Sequence, residues 1–108
     1  MDDRTFNIVK NFAQDSKKIL AEKNVVAQYL FGSFARNEQN EESDVDVCII
    51  VKNLNYNLRR KISELSSDYS LEKNIIISAI IKDIKTWEKN KKYNSQFYQE
   101  IKRDGIKI

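Results

Sequence analysis

The chain has 108 residues, 41% apolar and 32% charged, and its 19 Lys and Arg against 16 Asp and Glu leave a net charge of only +3. This length suits one domain spanning residues 1–108 with a modest core, and the composition excludes disorder and fibrous repeats, while the charge is too small to indicate nucleic-acid binding. One cysteine and no histidine exclude an internal disulfide, Ser-His-Asp and Cys-His chemistry and imidazole metal sites, so a metal would need oxygen ligands and a cytoplasmic location is expected.

With no proline and two glycines, the chain offers few breaks between elements. Ile8, Val9, Phe12, Ala13, Ile19 and Leu20 recur at helical spacing and predict an amphipathic helix over residues 5–22. Val25 to Phe31 is short, β-branched and aromatic, and it stops at Gly32, which predicts a strand entering a tight turn. Residues 37–44 are wholly polar and predict a loop feeding a second strand, Val45 to Val51, interrupted only by Asp46. Leu58, Ile62, Leu65 and Tyr69 predict a second helix over 56–69. Ile75 to Ile81 holds five isoleucines and one polar residue, Ser78, as expected of a central strand buried on both faces. Asp83 and Ser95 can each cap a short helix, the first carrying Ile84 and Trp87, the second Phe97, Tyr98 and Ile101 and ending at Gly105. This order predicts an α/β (α+β) domain, a small mixed sheet of three to four strands with one face covered by helices. No apolar run reaches the roughly 18 residues that span a bilayer, and Met1-Asp2-Asp3-Arg4 has no signal-peptide layout, so no membrane role is expected.

Chemistry concentrates in Leu30-Phe31-Gly32-Ser33-Phe34-Ala35-Arg36-Asn37 and in Ser43-Asp44-Val45-Asp46-Val47. A glycine at the strand end permits close backbone approach to a ligand, and a short helix begun by Phe34-Ala35-Arg36 would present free amides. Ser33 adds a hydroxyl and Arg36 a guanidinium one turn on, so three donor types suited to phosphate converge. Asp44 and Asp46, two apart at a strand start, project to one face about 6 to 7 Å apart. Like charges in an apolar strand call for a cation, and with no soft ligands nearby Mg²⁺ fits, since it takes one or two carboxylates plus phosphate oxygens and water.

Gly32-Ser33, ten residues, then Asp44-Val45-Asp46 resembles the G-S-x10-D-x-D signature of the polymerase beta-like nucleotidyltransferases. In length and in its ending Ser95-Gln96-Phe97-Tyr98-Gln99-Glu100-Ile101-Lys102-Arg103-Asp104-Gly105-Ile106, the chain is similar to the minimal nucleotidyltransferases, often the antitoxin partners of HEPN toxins. The resemblance implies that fold and a Mg²⁺-dependent transfer of a nucleoside monophosphate, AMP from ATP, to a hydroxyl of a partner protein, a tyrosine on a HEPN toxin. It implies that Gly32, Ser33, Arg36 and Ser43 serve the nucleoside triphosphate, Arg36 by supporting the loop or the phosphates, and that Asp44 and Asp46 ligate the metal and are catalytic.

Two departures from the family stand out. Asn37 occupies the place after the arginine where the family usually has glycine; asparagine tolerates left-handed backbone better than most residues. The third carboxylate of active members, on the strand beside the D-x-D strand, has no counterpart in Ile75 to Ile81, where Ser78 takes the polar slot and Glu72 and Asp83 flank the ends. A catalytically degenerate binding module that neutralises a toxin by contact is therefore the alternative, and transfer to RNA or a small molecule a third. The oligomeric state stays open. Cys48 is expected to be an ordinary buried thiol, Trp87 with the Phe97, Tyr98, Ile101 stripe to cover the core, and Arg59-Arg60-Lys61 to be solvated.

Overall fold

The computed structural model describes residues 1–40 and 42–108; Glu41, within the expected polar loop, lies outside the described residues. Helix α1, Asp3–Leu20, begins where the Asp2 carboxylate accepts the Thr5 amide at 2.6 Å, two residues earlier than its apolar spacing predicts, and ends at Ala21 with φ +75°. A 3-10 turn, Glu22–Asn24, leads into β1, Val25–Phe31; β2, Val45–Val51, follows the polar loop, and both strands have the expected bounds. Helix α2, Tyr56–Lys73, is capped by the Asn55 side chain and closed by left-handed Asn74, so it runs a turn beyond Tyr69, the last residue of its buried stripe.

The isoleucine-rich segment folds as β3, Ile77–Asp83, two residues later than expected. Left-handed Asn74 turns the chain out of α2, and Ile75 and Ile76 bridge to the sheet, where the Ile76 carbonyl accepts the Val45 amide at 2.9 Å. Asp83 then caps α3, Ile84–Lys92, and Ser95 caps α4, Gln96–Asp104, before a two-residue β4, Ile106–Lys107. Gly105 ends α4 with an ordinary φ of −62°; its need for glycine is spatial, because a Cβ there would lie 2.4 Å from the Ile101 carbonyl oxygen.

The sheet order is β3-β2-β1-β4, with β1 antiparallel to β2 and β4, and β2 parallel to β3. The interior strands are thus β2 and β1, not the isoleucine-rich one, which lies at an edge; every residue of β2 except Asp46 is buried. Helices cover both faces, where the alternation predicted one. Val45, Val47, Ile49 and Val51 pack with Val9 and Phe12 of α1 and Ile62 of α2, whereas Cys48 and Ile50 pack with Phe31, Trp87 of α3 and Ile101 of α4. The alternation of β2 sends odd positions to one layer and even positions to the other, and Asp46 therefore falls on the α3–α4 side. Cys48 is fully buried there, its pKa pushed up to about 12 chiefly by burial, as an inert core thiol requires. Trp87 is buried in edge-on contact with Phe97 and Tyr98, and Arg60 pairs with Glu64 on the exposed side of α2. No helix among the described residues is long and apolar enough to cross a membrane.

Candidate active site

The register of β1 against β2 sets Phe31 opposite Asp46, so the turn that leaves β1 starts directly beside that carboxylate. Gly32 makes the turn possible. Its φ is +78°, and a Cβ placed on it would stand 2.2 Å from Asp46 Oδ2, well inside contact distance. The backbone and the carboxylate form a closed cradle that only glycine fits.

The residues after Gly32 make one closed turn, not the start of a helix. The Arg36 amide donates to the Gly32 carbonyl at 3.1 Å, Asn37 to Phe34 at 3.2 Å, and Glu38 to Ser33 at 2.9 Å. The last two bonds are the six-to-one and five-to-two pair of a Schellman ending, which requires a left-handed residue at its hinge. Asn37 fills that place with φ +58°, and its side chain accepts a bond from the amino terminus. The amides of Ser33, Phe34 and Ala35 donate to no protein acceptor among the described residues. Three donors at the head of a turn, beside a glycine, are suited to an anion.

Around this cradle the charges are unequal. Asp46 is half-buried, and its pKa lies above the ordinary carboxylate range, first because burial disfavours its charge, then because Asp44 and Glu100 add negative potential; Arg36 opposes them. Asp44 is exposed one pleat before β2. Ser43 is turned into the loop, its hydroxyl accepting the Asn40 amide at 3.0 Å. Arg36 is bonded to Glu38 at 3.0 Å and to Asp104 at 2.9 Å. A cavity of about 680 Å³ opens between the start of α1, the end of α2 and the polar loop; Ser43, Asp44 and Phe34 border it, and Gly32, Ser33 and Asp46 do not. The cradle rather than this cavity is the chemical focus, because the perturbed carboxylate and the glycine lie there.

Beside Asp46 on β3 is Ser78, its register partner, so the neighbouring strand offers a hydroxyl and no acid at this level. Asp83 pairs with Val51 at the opposite end of the ladder and is occupied in capping α3. Among the described residues no three Asp, Glu, Cys or His side chains stand close enough to hold a metal together. Two residues of α4 reach this neighbourhood without any local signal in the sequence: Glu100, whose charge acts on Asp46, and Asp104, which pairs with Arg36. Only the docking of α4 against the sheet, through Phe97 edge-on to Phe31 at 5.7 Å between ring centroids, brings them there.

Residues 14–104 match the family model of the nucleotidyltransferase domain. The chain is 39% identical over 104 residues to MJ0141 of Methanocaldococcus jannaschii, provisionally named a protein adenylyltransferase, covering 94% of this chain and 95% of that protein. A second protein of that organism with the same provisional name, MJ0604, is 32% identical over 70% of each chain. Among solved structures, a toxin-antitoxin crystallised with AMP-PNP superposes with a TM-score of 0.57 at 18% identity, over 90% of this chain and 69% of that one. A protein of Sulfolobus solfataricus, provisionally a nucleotidyltransferase, gives 0.57 at 19% identity over 96% and 78%. At such identities these two likenesses concern the fold.

Proposed function

This chain belongs to the nucleotidyltransferase domain family, and from that premise we propose that it transfers AMP from ATP to a hydroxyl of a partner protein, in the cytoplasm, with Mg²⁺. The observation that carries the proposal is the cradle of Gly32 against Asp46. A backbone that approaches the carboxylate this closely sets the open amides of the turn beside Asp46, so that anion donors and a cation ligand adjoin. The donor set suits Mg²⁺, for it is all oxygen, and two carboxylates completed by triphosphate oxygens and water make its usual coordination.

In this reading Asp44 and Asp46 hold the cation, Gly32 and Ser33 with the open amides of the turn hold the triphosphate tail, Arg36 supports the turn, and Ser43 keeps the polar loop in place beside the nucleotide. When bound, Mg²⁺ supplies charge neutralisation at the phosphates. The acceptor oxygen attacks the α-phosphorus, the bond to the β-phosphate bridging oxygen breaks, pyrophosphate leaves, and the hydroxyl proton passes to a base. The raised pKa of Asp46 reflects a half-buried charge with acidic neighbours, which a bound cation would neutralise.

The names of the relatives support protein as acceptor, and the toxin-antitoxin neighbours support a toxin as that protein, of the HEPN type that the sequence resemblance implies. A second reading rests on Ser78. With a hydroxyl where the strand partner of Asp46 would carry an acid, the chain would bind and neutralise a toxin by contact alone. Incubation with ATP labelled at the α-phosphate, Mg²⁺ and a purified candidate toxin separates the two: covalent label on a toxin tyrosine supports transfer, and inhibition of the toxin without label supports the second reading.

A further inference from the structure

The guanidinium of Arg36 has two anionic partners, one on Nε and one on Nη1. Its Nη1 donates to Asp104 Oδ2 at 2.9 Å and its Nε to Glu38 Oε2 at 3.0 Å. Asp104 is the better-covered partner, its side chain 5% exposed against 67% for Glu38, and Arg103 donates to both of its oxygens at 3.0 and 2.9 Å. The carboxylate at the end of α4 is thus enclosed by two arginines, one from its own helix and one from the turn that follows Gly32. Charge-assisted bonds in such a pair are strong and directional.

Resting on the nucleotide-binding reading above, we infer that Asp104 is a positioning residue: it fastens the Gly32–Asn37 turn to α4 through Arg36, and Arg36 acts as a strut for the turn rather than as a phosphate ligand. Three observations converge on this. Arg36 lies directly before the left-handed hinge at Asn37, so its side chain anchors the point at which the turn closes. Helix α4 is itself fixed, by Phe97 against Phe31 and by Ile101 buried in the layer with Cys48 and Ile50. Phe97 and Asp104 therefore grip the chain on both sides of Gly32, at Phe31 and at Arg36, and the open amides between them are held in one orientation before any ligand arrives. Preorganised donors bind an anion without the ordering penalty of a loose loop.

The two roles for Arg36 make opposite predictions for Asp104→Asn. A phosphate ligand released from its carboxylate would bind MgATP as tightly as before or more tightly. A strut released from its anchor lets the turn drift, and MgATP affinity falls by about tenfold or more, since the turn must then be ordered on binding. Calorimetry with MgATP on wild type, Asp104→Asn and Asp104→Glu measures this, with the glutamate expected to restore most of the affinity. The exchanged pair Arg36→Asp with Asp104→Arg should recover more than either single change. Amide exchange of Arg36, Asn37 and Glu38 in the ligand-free protein provides a readout independent of nucleotide: it should quicken in Asp104→Asn and recover in Asp104→Glu. Unchanged or tighter MgATP binding by Asp104→Asn, or unaltered exchange of the turn, overturns the strut. Failure of the wild type to bind MgATP at all overturns the nucleotide-binding reading, and with it the purpose assigned to the strut.

Discussion

Gly32 and Asp46 occupy one space: the α-hydrogen side of the glycine faces the carboxylate so closely that a methyl group there would overlap Asp46 Oδ2 at 2.2 Å. The positive φ of Gly32 and the antiparallel register that sets Phe31 opposite Asp46 are the two causes. Gly32→Ala should therefore act twice. It imposes left-handed backbone on an alanine and drives the carboxylate aside, lowering stability by about 1 to 3 kcal/mol in urea unfolding and abolishing MgATP binding. An alanine variant that binds MgATP normally would show that the cradle is not where the triphosphate sits.

The ionised form of Asp46 does not stabilise the empty fold. Its folded pKa is raised above the ordinary 3.8, so protonation favours the folded state: this contribution is present below the unfolded pKa and is lost as pH rises through the folded one. At neutral pH the buried charge is therefore a burden, and Asp46→Asn should raise Tm by a few degrees, given that about 1 kcal/mol moves a domain of this size by roughly 4 °C or more. The same variant should lose MgATP binding. A fall in Tm would mean that the carboxylate makes favourable contacts in the free protein.

Asp104 behaves oppositely. Arg103 first and Arg36 second lower its pKa to about 2, so its contribution is present above the ordinary 3.8 and is lost as pH falls toward about 2. The acid unfolding midpoint should move to higher pH in Asp104→Asn, as circular dichroism can follow.

Glu100 is the third acid near Asp46, reached from α4. Glu100→Gln removes one source of negative potential, and the Asp46 pKa should fall in a ¹³C-detected carboxyl titration of the ligand-free protein. An unmoved titration would place Glu100 too far from Asp46 to act on it.

Ser78 offers a gain-of-function test. Its register with Asp46 on the adjacent parallel strand gives an acid there a direct line to the cradle, and a general base is typically worth 10² to 10⁴ in rate. Ser78→Asp should raise label transfer to the acceptor by at least about tenfold at saturating Mg²⁺, while lowering stability without metal by added repulsion. A rate that does not rise would indicate that proton removal is not what limits this chain.

The sequence displayed β1 and β2 to the residue because each is a short apolar run cut off sharply, by Gly32 and by the polar residues before Val45. It misplaced β3 because periodicity cannot distinguish the isoleucines that ladder with β2 from Ile75 and Ile76, which bridge from left-handed Asn74. The edge position of β3 was hidden for a related reason: helices pack on both faces of the sheet, so an edge strand is as apolar as a central one. Near the cradle, what was legible was local. Gly32, Asp44 and Asp46 lie within one turn, one loop and one strand, and their spacing alone suggests their proximity. Glu100 and Asp104 come from a helix whose own pattern says only that Phe97, Tyr98 and Ile101 face inward, and which strand end α4 meets is decided by tertiary packing.

Binding of MnATP followed by electron paramagnetic resonance puts metal, triphosphate and carboxylates into one experiment. The wild type should bind Mn²⁺ in an ATP-dependent manner, and Asp44→Asn with Asp46→Asn should lose that binding while keeping its circular dichroism spectrum. Equal Mn²⁺ and ATP affinity in the wild type and the folded double variant would contradict a nucleotide-binding site at the Gly32–Asp46 cradle.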